Sequence, residues 1–254
     1  ILFMTVLWVN NNIPGIKMSK KTIKTPILGV NAKSYMWGED LLDIALYCDK
    51  LAVENDVTIT MNVPFLDIYR VSQKCPHIII NAQGVDAIEP GGKMGGILPE
   101  ALVAAGADGV IINHASRPMT MSQVIKTVKR CKELGLNTFV IGDTVEEVKM
   151  IACLHPTGIV CEETSHIGTG VVSDPLYIKS TTQAIKEIDP NIIVMQGAGI
   201  KSADDIYRNI TLGSESGGGA SGIFCSENPK AKIAEFLEGI LKARKEFGSR
   251  VVEN

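Results

Sequence analysis

Short apolar runs alternate with longer amphipathic segments along nearly the whole chain, and this alternation constrains the fold more than any single motif. The runs are 27–30, 57–63, 78–82, 109–112, 138–141, 158–161 and 192–195; the segments between them include 39–54, 99–105, 122–134, 144–154, 174–188 and 202–212. Apolar runs without polar alternation suit parallel strands covered on both faces. Strand–helix repetition implies right-handed βαβ units. An eighth strand belongs ahead of Glu227-Asn228-Pro229 and a last helix running to about Arg244, where the candidate is Glu215-Ser216-Gly217-Gly218-Gly219-Ala220. Three consecutive glycines make it a poor strand by propensity. The count favours a single-domain α/β fold, a (β/α)8 barrel, with a doubly wound open sheet as the competing architecture. No Gly-x-Gly-x-x-Gly follows the first run, so a dinucleotide site there is unsupported.

Composition agrees with one well-buried domain: 254 residues, 45% hydrophobic and 21% charged. A net charge of -3 and a pI near 5.9 give no electrostatic case for nucleic acid or an anionic membrane as partner. An anionic ligand must be held by a local site. The six cysteines (48, 75, 131, 153, 161 and 225) include no C-x-x-C pair, and the four histidines show no metal-ligand spacing. Reduced thiols in a cytoplasmic protein, with neither a disulfide framework nor a metal site, are expected. The apolar stretch 1–9 is too short to span a bilayer and lacks a preceding basic region. Met18-Ser19-Lys20-Lys21 reads as a natural start, so residues 1–17 are expected to be an extension and 18–254 the domain. A chain starting at Met18 should still fold and express in soluble form.

The residues that follow each run carry the chemistry. Asn31 and Lys33 follow the first, Asn113-His114 the fourth, Glu162 the sixth, Gly197-Ala198-Gly199 the seventh, and Gly219-Ala220-Ser221-Gly222 the eighth. In a barrel these converge on one mouth. Glu162 opens the run Glu162-Glu163-Thr164-Ser165-His166-Ile167-Gly168-Thr169-Gly170, a candidate base beside a glycine-hinged loop. The small-residue turns after the last two strands suit phosphate, because backbone N–H groups can approach an anion there. A carboxylate base facing an imidazole that polarises a carbonyl suggests enolisation of a small phosphorylated carbonyl compound.

In this order and spacing the residues resemble the triosephosphate isomerase family, in its short archaeal-type branch. The motifs are Val30-Asn31-Ala32-Lys33, Ala82-Gln83, Gly95-Gly96-Ile97-Leu98-Pro99-Glu100, Ile112-Asn113-His114, Glu162 with Ile167-Gly168-Thr169-Gly170, Gly197-Ala198-Gly199-Ile200 and Ala220-Ser221-Gly222. The resemblance implies a cofactor-independent aldose–ketose isomerase of glycolysis and gluconeogenesis. Glu162 would be the base, neutral His114 the electrophile, Lys33 the enediolate-stabilising cation and Asn31 its orienting neighbour. Backbone amides of Gly168, Gly199, Ala220 and Ser221 would hold the substrate phosphate, and 163–170 would close as a lid. A homo-oligomer, dimer or tetramer, is also implied.

Four departures stand out. Ser116 in His114-Ala115-Ser116-Arg117 replaces the family's usual Glu, Glu163 replaces a Pro after the base, Lys93-Met94 replaces a His-Thr in the third loop, and Gly217-Gly218-Gly219 replaces bulky strand residues. The glycines should thin the barrel core or reshape the site. The departures leave two rival readings: an isomerase of a four-carbon sugar phosphate (a tetrulose phosphate), and a catalytically weak phosphate-ligand binding homologue.

Overall fold

A computed structural model describes residues 21–252. The expected extension, 1–17, lies outside the described residues. The chain begins with β1 (Ile23–Thr25) and β2 (Ile27–Asn31), then α1 (Gly38–Asn55), β3 (Ile59–Val63), α2 (Ile68–Ser72), β4 (Ile79–Ala82), α3 (Pro99–Ala104), β5 (Gly109–Ile112) and α4 (Met121–Glu133). It continues with β6 (Asn137–Gly142), α5 (Val145–Ala152), β7 (Gly158–Cys161), α6 (Pro175–Ile188), β8 (Ile193–Gln196), α7 (Ala203–Thr211), β9 (Ser216–Gly219), α8 (Ser221–Phe224), α9 (Pro229–Phe247) and β10 (Arg250–Val252). Strands β2 to β9 form one parallel sheet in the order β8-β7-β6-β5-β4-β3-β2-β9. Among the described residues no helix is long and apolar enough to cross a membrane.

The helices start where local chemistry directs. Thr120 and Ser202 close capping boxes with Gln123 and Asp205, while Asp174 and Asn228 cap helices that open on a proline. The main core lies between the barrel and its helices, built from residues such as Leu41, Ile68, Val128, Ile185, Ile206 and Phe236. A second cluster fills the barrel: Ile27, Ile79, Ile111, Phe139, Ile141 and Ile193, joined by Ile23 and Val252. These last two come from β1 and β10, which pair antiparallel and cover the N-terminal end of the strands. Neither strand was legible in the sequence, because three-residue strands carry no period. The five-residue α2 and four-residue α8 were hidden for the same reason.

Between β8 and β9 a carboxylate substitutes for a strand ladder. The Glu215 N–H donates to Val194 O (2.7 Å), and Val194 N–H donates back to Glu215 Oε2 (3.0 Å). The same carboxylate takes Lys186 Nζ at 2.6 Å and Arg250 Nη2 at 2.6 Å. On its other edge β9 pairs regularly with β2, Gly29 opposite Gly218. The sheet therefore closes, and the open-sheet alternative falls.

The three glycines of β9 have a steric reason. A Cβ on Gly217 would lie 2.4 Å from Ile206 Cγ2, and one on Gly218 would lie 1.9 Å from Gly29 O. Strand β2 and helix α7 occupy the room that bulky side chains would need. Gly29 and Gly217–Gly219 also line the cavity at the barrel mouth, so the expected reshaping falls on the site itself.

Glu215→Ala should remove the seam and leave Lys186 and Arg250 unpaired, costing about 2–4 kcal/mol in chemical denaturation, less than for a fully buried pair. Unfolding at the wild-type midpoint would refute the seam's role.

Candidate active site

Lys33 is held in a strained backbone conformation. Its φ is +41°, in the left-handed region that residues other than glycine rarely adopt. Asn31 Oδ1 accepts from the Lys33 N–H (3.0 Å), and Gln83 Nε2 donates to Lys33 O (2.8 Å). Asn31 therefore positions Lys33 through the main chain, from the end of β2. Gln83 is a supporting residue whose task the Ala82-Gln83 motif alone did not reveal.

His114 stands just beyond β5, after Asn113, which also has a left-handed φ of +64°. Asn113 ties its loop down: its Nδ2 donates to Ile141 O (3.0 Å), and its Oδ1 accepts from Met119 N–H (2.9 Å). The Ser116 N–H donates to His114 Nδ1 (3.1 Å), and Ser116 Oγ lies 2.6 Å from the same nitrogen. Donors at Nδ1 leave the ring proton on Nε2, the nitrogen that faces Glu162. Burial holds the His114 pKa below the ordinary imidazole value; Glu162 opposes this and Lys33 reinforces it. The ring is thus a neutral Nε2–H donor near neutral pH. Ser116, which stands where the family's acidic partner of the lysine is usual, makes its contacts here with the imidazole. Arg117 keeps an ion pair with Asp86 at 2.5 Å.

Glu162 extends β7, its N–H bonded to Gly142 O (3.0 Å). Its Oε2 lies 3.9 Å from His114 Nε2, and the two side chains are 12% and 16% exposed. That separation is too long for a hydrogen bond, so both groups keep their capacity for a ligand. Gly197 makes room for the Glu162 carboxylate: a Cβ there would lie 2.8 Å from Glu162 Oε1. Glu163, the second carboxylate of the pair, turns to His166 Nδ1 at 3.2 Å, within the 3₁₀ turn Thr164–His166. Glu163 Oε2 and His166 Nδ1 are both buried, and neither makes a hydrogen bond among the described residues.

Asn31, Lys33, His114, Glu162, Gly168, Gly199, Ala220 and Ser221 all line one cavity of about 500 Å³. Gly168 and Gly170 (φ +76° and +74°) shape the far end of the loop after β7. Gly199 is irreplaceable by contact, since a Cβ there would sit 2.1 Å from Val171 O. Short α8 presents the Ser221 and Gly222 end of its backbone toward the same space. The arrangement joins a carboxylate, a neutral imidazole and a cation to a rim rich in backbone donors.

Two results are expected. The His114 ring should remain neutral as pH falls to 6.5, with 15N NMR showing the proton on Nε2; a charged ring at neutral pH would contradict the assignment. Because Ser116 already serves His114 Nδ1, Ser116→Glu should not raise kcat, and an increase would show that a carboxylate is missing.

The triosephosphate isomerase family model matches residues 26–218. Triosephosphate isomerase of Methanobacterium bryantii is 35% identical over 222 residues, 85% of this chain and 98% of the relative. That of Metallosphaera sedula is 34% identical over 228 residues, 88% of this chain and all of the relative. The Methanocaldococcus jannaschii protein of that name is 32% identical over 219 residues, 84% of this chain and all of the relative. With barrel, strand-end residues and near-complete coverage in agreement, this chain belongs to the triosephosphate isomerase family.

Proposed function

We propose that the chain interconverts D-glyceraldehyde 3-phosphate and dihydroxyacetone phosphate. The observation that carries this reading is the Glu162 carboxylate beside His114 Nε2 at 3.9 Å, in a cavity that also holds Lys33. Glu162 takes a proton from C1 of the ketose, and the electron pair passes to the C2 oxygen. His114 donates through Nε2 to the developing oxyanion and passes a proton between the two oxygens. Lys33, kept in place by Asn31 and Gln83, offsets the enediolate charge. Glu162 then returns its proton to C2. The two carbons exchange oxidation level within one molecule, so the chemistry needs no cofactor.

The backbone amides of Gly168, Gly199, Ala220 and Ser221 hold the phosphate in this reading. The loop 163–170 closes over the site and keeps water from the enediolate, which would otherwise lose phosphate. The four-carbon substrate is not favoured, since relatives matched over nearly their full length carry the triose name. The weak-binder reading is not favoured on the same ground. A cytoplasmic location is part of the proposal, supported by six free cysteines. So is a homo-oligomer: Tyr35, Trp37, Leu66, Tyr69 and Met94 are exposed, and Gly38 N–H donates to Asp67 Oδ2 (3.0 Å), joining the loops after β2 and β3.

A coupled assay with both trioses tests the reaction. Glu162→Gln should lower kcat/KM by about 10³-fold or more, with Glu162→Asp less affected, as removal of a general base requires. Comparable turnover by Glu162→Gln would remove Glu162 from the mechanism.

A further inference from the structure

The proposed phosphate end of the cavity is built from neutral backbone donors, and Lys33 acts at the other end, where its charge is felt by His114. A second cation lines the same cavity: Lys201, just past Ile200 in the loop after β8. Its side chain fills the space that Gly170 leaves open. A Cβ on Gly170 would lie 2.1 Å from Lys201 Nζ and 2.3 Å from its Cε. The ammonium group is therefore packed against the last glycine of the loop 163–170. The reverse contact exists one step away, where Val171 O fills the space beside Gly199. Lid end and phosphate loop interlock through these two glycines.

The backbone of Lys201 is anchored while its charge is uncommitted. Its N–H donates to Asp205 Oδ2 (3.0 Å), and its carbonyl accepts from Lys232 Nζ (3.2 Å). Asp205 Oδ2 also receives Ser202 N–H and Ser202 Oγ, and so is occupied by the cap of α7. Among the described residues Lys201 Nζ has no carboxylate partner. An unpaired ammonium group beside converging N–H donors is suited to a phosphate dianion, for which charge-assisted contacts are the stronger kind.

The geometry points to Lys201 as a cationic contact for the substrate phosphate, added to the neutral backbone donors of that end of the cavity. This rests on the phosphorylated-sugar reading above.

Calorimetry with inorganic phosphate, beside steady-state kinetics on glyceraldehyde 3-phosphate, tests this in the full chain. Lys201→Met should raise the phosphate Kd and the KM about tenfold, with kcat falling far less. Lys201→Arg should restore most of both, and the gap between wild type and Lys201→Met should narrow at about 1 M salt, where the Debye length is short. An unchanged phosphate Kd in Lys201→Met overturns the proposal. A weakened Kd that Lys201→Arg does not restore, or that salt does not narrow, also overturns it, because packing would then explain the loss. Wild-type protein that binds phosphate but turns over neither triose would instead sink the isomerase reading and leave the Lys201 comparison intact.

Discussion

Closure of the barrel at the seam between β8 and β9 is the constraint on which the rest of the structure depends. Glu215 carries it twice, with its main chain on Val194 O and its carboxylate on Val194 N–H. Lys186 and Arg250 balance the charge, so one side chain joins β8, α6 and the C-terminal strand. Were the seam open, the loops after β8 and β9 would not be neighbours. Gly199 and Ala220-Ser221 would then face different solvent, and the donor-rich end of the cavity would not exist. Closure is helped by the glycines, because Gly218 lets β9 approach the backbone of β2 where any side chain would collide.

The chemistry at the mouth rests on groups kept away from their own best partners. Lys33 sits at a left-handed φ and is held by hydrogen bonds to its main chain, which leave its ammonium group for a ligand. His114 is kept neutral by burial and kept oriented by Ser116. Glu162 faces it without bonding to it. Such preorganisation costs stability locally, and the closed barrel bears that cost. Glu163 places a second carboxylate next to Glu162 in the chain, and its Oε2 lies 3.2 Å from His166 Nδ1 in the loop.

Much of the fold was legible because the pattern is strong: each of the seven apolar runs lies on a barrel strand, within a residue or two at the ends. Strand β9 was legible only by counting, since Ser216-Gly217-Gly218-Gly219 opposes strand propensity. The strand-end residues were legible as a set because a parallel barrel sends every C-terminal strand end to one face. Supporting residues were not. Gln83, Gly197 and Lys201 act on partners 50, 35 and 31 positions away, and no local spacing encodes such contacts.

By itself the sequence determined the class of fold, the identity of the acid, imidazole and cation at the strand ends, and the small-residue turns beside them. Those follow from local rules: apolar periodicity, caps and glycine. Tertiary structure decided how the sheet closes, why three glycines are needed in β9, what Ser116 does, and where the charge of Lys201 points. These depend on distances between segments far apart in the chain, and such distances exist only once the barrel has closed around its core.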